Sequence, residues 1–309
     1  MSTSIAAVAV REVGLRDGLQ SIARIVPTDI KLEWLRAAHA AGLREVEVGS
    51  FVPARLLPQL ADTAALVDAA RALTGLVASV LVPNLKGAQA ALDSRADAML
   101  VPLSASHAHS LANLRKTPDE VIAEIGRIAS LRDASGSRCV LEVGLSTAFG
   151  CTIQGRVDEA EVVRLVQAAL DAGADCVGLA DTVGYADPLQ VSRLFERCFR
   201  VAGDRLGCGH FHDTRGLGLA NVFAAWQAGV RRFDACVGGI GGCPHAPGAS
   251  GNVATEDVAY LFASMGVPTG LDFDALLALR GRIGGWLDGE PLHGHVWRAG
   301  LPTTMKEAA

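Results

Sequence analysis

The chain has 309 residues, 50% hydrophobic and 20% charged, a balance that supports a large packed core and excludes disorder over most of its length. Its 28 basic and 33 acidic residues leave a net charge of -5 with no basic run, so nucleic acid is not an expected partner. The length exceeds a minimal binding module and fits either two ordinary domains or one large α/β barrel.

In chain order, short runs rich in Val, Leu and Ile are expected as strands at residues 6–13, 45–50, 76–82, 98–103, 139–145, 176–180, 208–212 and 233–237. Stretches of helical spacing separate them, with usable punctuation. Thr28-Asp29 precedes the first, which Gly42 closes; Thr117-Pro118-Asp119-Glu120 and Asp187-Pro188 open later ones, and Gly173 and Gly229 close two more. Apolar strands without alternation belong to a parallel sheet covered on both faces. Eight such units in this length predict an α/β fold of the (β/α)8 TIM-barrel type, since a doubly wound sheet usually stops at five or six strands. The expected organisation is one catalytic domain over residues 1–309, with an additional C-terminal helical segment from about 271 to 309 packed outside the barrel.

Cysteines at 139, 151, 176, 198, 208, 236 and 243 form no Cys-x-x-Cys pair and are odd in number, which argues for a reducing compartment. Without a signal-like start or an apolar stretch long enough for a membrane span, a cytoplasmic protein with no membrane partner is expected.

In this fold, functional groups sit where strands end. Arg16-Asp17 follows the first strand, Glu47 falls near the end of the second, Asp181 ends the sixth, and His210-x-His212 ends the seventh. A loop after the eighth, residues 238–252, has six glycines in fifteen residues and holds Cys243 and Asn252. So much backbone freedom fits a mobile lid or a close approach to ligand, and a phosphate cradle is a further option.

His210 and His212 lie two apart on a strand, turning both imidazoles to one face at roughly 6–7 Å between alpha carbons. Alone, such a pair is more often two hydrogen-bonded core residues. Asp17 and Asn252 shift the balance to a mixed N/O metal site, for which Mg or Mn is the better match than a closed zinc site. Arg16 can stabilise an oxyanion or enolate with a fixed charge, or form a structural ion pair; Glu47, pointing inward, requires a partner. His107 and His109 are also two apart near a strand end but lack a neighbouring acid, so they are expected to contact substrate or solvent.

On these residues the chain resembles the 3-hydroxy-3-methylglutaryl-CoA lyase family, among the metal-dependent TIM-barrel lyases and Claisen-type synthases. The resembling segments are Val-Gly-Leu-Arg16-Asp17-Gly-Leu-Gln20, Glu47-Val-Gly-Ser-Phe-Val, Pro83-Asn84-Leu-Lys86-Gly, Ala180-Asp181-Thr182-Val-Gly, Gly-His210-Phe-His212-Asp213-Thr, and Gly241-Gly-Cys243-Pro with Gly-Ala-Ser-Gly-Asn252. The resemblance implies retro-Claisen cleavage of an acyl-CoA thioester, 3-hydroxy-3-methylglutaryl-CoA first among them. It implies a divalent cation, Mg or Mn, on Asp17, His210, His212 and Asn252, with Arg16 polarising the thioester carbonyl. Glu47 and Asp181 would orient Arg16 and the reacting groups, His210 would relay protons, and Cys243 would deliver one from a lid loop. A homo-oligomer is expected.

Three departures fall on the substrate side. Ser21-Ile22-Ala23-Arg24 replaces a family Asn-Glu-Lys, Ser106-His107 replaces Ser-Glu, and His245 replaces a tyrosine. A sibling lyase for a citramalyl-CoA-like or longer branched 3-hydroxyacyl-CoA, and a synthase or aldolase of the same barrel group, are therefore the alternatives. A non-catalytic metabolite-binding barrel ranks last.

Overall fold

A computed structural model describes residues 7–241 and 251–306 of the chain. Eight strands, β1 (Ala9–Glu12), β2 (Glu45–Ser50), β3 (Val77–Leu81), β4 (Ala98–Ser104), β5 (Val140–Ser146), β6 (Cys176–Asp181), β7 (Leu206–Phe211) and β8 (Arg232–Ala235), close into a barrel in sequence order. All neighbours are parallel, and closure is made by β1 against β8, with Val10 opposite Phe233 and Arg11 opposite Asp234. The fold is a (β/α)8 barrel.

The longer helices are α1 (Thr28–Ala40), α2 (Thr63–Arg71), α3 (Leu85–Asp93), α4 (His107–Leu114), α5 (Pro118–Ala134), α6 (Glu159–Asp171), α7 (Pro188–Ala202), α8 (Gly218–Gln227), α9 (Thr255–Ser264) and α10 (Phe273–Trp286), followed by single turns at Val296–Ala299 and Thr303–Lys306. Several starts follow the capping chemistry of the sequence, whereas α1 begins at Thr28 with Pro27 in the cap position and no side-chain cap. Thr117 and Glu120 form a reciprocal capping box on α5, and Asp187 caps α7 through the N–H groups of Leu189 and Gln190. On α7 the buried residues Val191, Leu194, Phe195 and Cys198 recur at i, i+3, i+4 and i+7, so one stripe faces the barrel. Burying each large apolar side chain of such a stripe contributes about 1.5–3 kcal/mol. Phe195 meets Phe149 and Phe211 at centroid distances of 6.2 and 6.3 Å, locking α7 onto the end of β7.

After the last barrel helix, α10 lies on α1, where Trp286 stacks on Trp34 with centroids 6.3 Å apart. Among the described residues no helix is long and apolar enough to cross a membrane.

Two strand ends differ from expectation for a visible reason. Strand β8 stops at Ala235 rather than 237 because the Val237 N–H turns to the buried Glu12 carboxylate at 3.1 Å instead of continuing a ladder. Strand β7 stops at Phe211, and His212 makes a single bridge to Asn252 across the barrel mouth.

Candidate active site

The segment after β1 is pinned before it presents any chemistry. Glu12 accepts hydrogen bonds from the N–H groups of Gly14 (3.0 Å) and Val237 (3.1 Å) and from the Thr255 hydroxyl (2.7 Å). Beyond it the chain makes one π-helical turn, Gly14–Gly18, in which the Val13 carbonyl accepts from the N–H groups of Arg16, Asp17 and Gly18. A π-turn of this kind is often found at functional sites. It turns Arg16 and Asp17 inward, both buried, at the carboxyl end of the barrel.

Arg16 is held between two carboxylates, Glu47 on β2 at 2.7 Å and Asp17 beside it. Burial alone would lower the Arg16 pKa, but the charges of Glu47 and Asp17 outweigh it and keep the guanidinium charged. Burial pushes the Glu47 carboxyl up, against the pull of Arg16. In Asp17 the opposite side wins: despite burial, Arg16 and His212 hold the carboxyl well below the usual carboxylate range.

Asp17 faces the histidines. The Nε2 atoms of His210 and His212 lie 3.1 Å apart, and Asp17 Oδ2 is 3.8 Å from His212 Nε2. One ligating atom from each of the three residues falls within 4.8 Å of the others. Asn252 joins them by donating from Nδ2 to Asp17 Oδ2 at 2.7 Å, while its Oδ1 is buried without a hydrogen-bond partner. An orphaned amide oxygen beside a carboxylate and two convergent ring nitrogens is an N/O donor set that a divalent cation would satisfy. The residues fit the group.

Gly241 makes this approach possible. Its φ of +110° suits glycine, and a Cβ there would come within 2.5 Å of Asn252 Nδ2 and 3.1 Å of Asp17 Oδ2. Gly241→Ala is therefore expected to push Asn252 and Asp17 apart and weaken Mn2+ binding by about tenfold or more, measured by titration of the metal-free protein.

Asp181, at the end of β6, takes its partners from its own loop: its carboxylate accepts from the N–H groups of Tyr185 (2.8 Å) and Ala186 (3.2 Å). Burial pushes this carboxyl up, with the two amides opposing. Arg16, by contrast, takes its partners from Glu47 and Asp17. Cys243 lies outside the described residues.

The two histidines after β4 part company. His107 is exposed, whereas His109 is buried with Nδ1 3.0 Å from the Ser104 hydroxyl and lines the same cavity as Arg16, Asp17, His210 and His212. That cavity, of about 200 Å3, has Leu100, Pro102 and Leu179 on its apolar wall.

Three buried charged residues beneath the site were not singled out by the sequence motifs. Asp234 on β8 accepts from His210 Nδ1 at 3.0 Å, and Arg11 on β1 bridges Asp234 to Glu142 on β5. The available signal was charge inside short, mostly apolar strands, Arg11 beside Glu12 on β1, Glu142 on β5 and Asp234 two residues after Arg232 on β8, since a buried charge must find a partner.

Fold and site together define a (β/α)8-barrel enzyme with its charged groups gathered at the carboxyl ends of the strands. Residues 7–283 match the HMGL-like family model. The chain is 40% identical over 273 residues to the mitochondrial hydroxymethylglutaryl-CoA lyase of Arabidopsis thaliana, covering 88% of this chain and 58% of that protein. It is 39% identical over 304 residues to the (R)-citramalyl-CoA lyase of Chloroflexus aurantiacus, covering 95% of each. A solved structure, an HMG-CoA lyase from Acinetobacter baumannii in complex with coenzyme A and 3-methylmalate, superposes with a TM-score of 0.90 at 38% identity over 96% of both chains. The chain belongs to the HMGL-like family, and it is a carbon–carbon lyase.

Proposed function

We propose that the chain cleaves a 3-hydroxyacyl-CoA by a retro-Claisen reaction, with 3-hydroxy-3-methylglutaryl-CoA giving acetyl-CoA and acetoacetate. The observation that carries this reading is Arg16, buried between Glu47 and Asp17 and opening onto the same cavity as His210 and His212. In such a cleavage the 3-hydroxyl gives its proton to water, the C2–C3 bond breaks, and the electron pair passes into the thioester enolate. The fixed charge of Arg16 lies where that enolate needs stabilisation. The names of the relatives support the substrate class.

Asp17, His210, His212 and Asn252 would hold Mg2+ or Mn2+, which supplies Lewis acidity toward the substrate hydroxyl and a positive anchor for its distal carboxylate. Of the two roles open to His210, ligation is favoured: Nδ1 is taken by Asp234 and Nε2 points at His212. The carbanion left on C2 gains a proton from the Cys243 thiol, whose unperturbed pKa of about 8.5 keeps it mostly protonated at neutral pH. Cys243→Ala is expected to lose about 10² to 10⁴ in turnover while retaining its metal, measured on one preparation. Asp181 keeps the β6–α7 turn in shape beside Thr182 of the cavity wall.

Citramalyl-CoA is the second reading, favoured by the 95% mutual coverage with the Chloroflexus lyase. A comparison of kcat/KM across a panel of 3-hydroxyacyl-CoA thioesters with Mg2+ tests the choice. The highest value with 3-hydroxy-3-methylglutaryl-CoA is expected, and a preference of tenfold or more for citramalyl-CoA would replace that substrate. The unpaired thiols of Cys139, Cys151, Cys176, Cys198, Cys208 and Cys236 fit a cytoplasmic setting. We take the working form to be a homo-oligomer.

A further inference from the structure

The interior of a (β/α)8 barrel is ordinarily filled by branched apolar side chains. Here the layer under the histidines is charged. Arg11, Glu142 and Asp234 are at most 4% exposed and form the floor of the cavity. Arg11 makes two forks, Nε and Nη2 to Asp234 at 2.7 and 3.0 Å, and Nη1 and Nη2 to Glu142 at 2.8 and 3.1 Å. Arg232 pairs with Glu142 in turn and with Glu45 at 2.9 Å, so the chain of charges reaches the opposite rim of the barrel.

Such an arrangement is a poor way to gain stability. Desolvating several charges costs several kcal/mol per ion, and apolar residues of similar volume often serve as well or better. Nor is it an anchor for an acidic substrate, because Nε, Nη1 and Nη2 of Arg11 are all committed to the two carboxylates, whereas Arg16 keeps Nε without a hydrogen-bond partner. Among the described residues, its hydrogen bond to the reacting end is made through His210. Strand register puts Asp234 opposite both Arg11 on β1 and His210 on β7, and Asp234 accepts from His210 Nδ1 at 3.0 Å. With Nδ1 tied down, Nε2 is the nitrogen turned toward His212 and Asp17.

We propose that Arg11 and Glu142 are positioning residues for His210: through Asp234 they hold the ring so that Nε2 points into the Asp17–His210–His212 cluster. Asp234 left without its Arg11 fork would keep only the Cys208 thiol at 3.2 Å and His210 as partners, and could rotate and carry the imidazole with it. Partners that orient a ligating histidine in this way typically carry tenfold to hundredfold in metal affinity. The inference rests on the reading of that cluster as a cation site and is independent of which thioester is cleaved.

The test uses the full chain stripped of metal, with Mn2+ itself as the probe. Free Mn2+ is followed by its electron paramagnetic resonance signal in the native protein, in Glu142→Gln and in Arg11→Lys. Both changes keep length close to native, and Arg11→Lys also preserves the charge, so either one that folds suffices. The Mn2+ dissociation constant is expected to rise tenfold to a hundredfold in each, and the visible spectrum of the Co2+ form to shift as the ligand geometry changes. A loss of thermal stability with a dissociation constant within about twofold of native and an unchanged Co2+ spectrum would mean that the chain of charges is merely structural. Native protein that binds no Mn2+ would instead refute the cation site, and the inference with it.

Discussion

Arg16→Gln is expected to lower kcat by about 10² to 10³ or more while leaving KM close to native. A guanidinium aimed at the developing enolate acts on the transition state and only weakly on the bound substrate, so kcat and kcat/KM should fall together. The same change strips Glu47, fully buried, of its countercharge at 2.7 Å. Breaking a buried pair costs about 3–5 kcal/mol in stability, so the kinetics must be read well below the unfolding temperature. Steady-state kinetics beside circular dichroism separate the two effects. If KM rises in proportion and kcat is unchanged, Arg16 holds substrate and does no more.

Removing the cation should abolish turnover altogether. Asp17, His210 and His212 converge within 4.8 Å, and Asn252 adds an oxygen with no other partner. Dialysis against a chelator is expected to leave no measurable product, and Mg2+ or Mn2+ to restore it. His212→Ala should resist that rescue, since it deletes one of two converging ring nitrogens while Asp17 keeps its bonds to Arg16, Gln20 and Asn252. Full activity in protein shown by elemental analysis to be metal-free would remove the cation from the reaction.

Much of this was legible from local pattern. A fully covered parallel strand is an unbroken apolar run, and eight of them fixed by capped helices leave little choice of architecture. Arg16, Asp17, His210 and His212 announce themselves because each is a polar residue at or just past the end of such a run, and Glu47 because it is an acid inside one. What stayed hidden was pairing across the barrel. Arg11 meets Glu142 and Asp234, 131 and 223 positions away, and no local spacing tells one buried charge which other it will meet. The His107 and His109 pair shows the limit of a two-residue period. Ser106 caps α4, so the spacing becomes helical at His107, and the two imidazoles diverge into solvent and cavity.

The most direct test of the account is the identity of the fragments. Incubation of the metal-loaded protein with 3-hydroxy-3-methylglutaryl-CoA carrying label in both the acyl chain and the coenzyme should release acetyl-CoA and acetoacetate in equal amounts, with no free coenzyme A. Free coenzyme A with the intact six-carbon acid would contradict it, because the thioester would then have been hydrolysed and the carbon–carbon bond left whole.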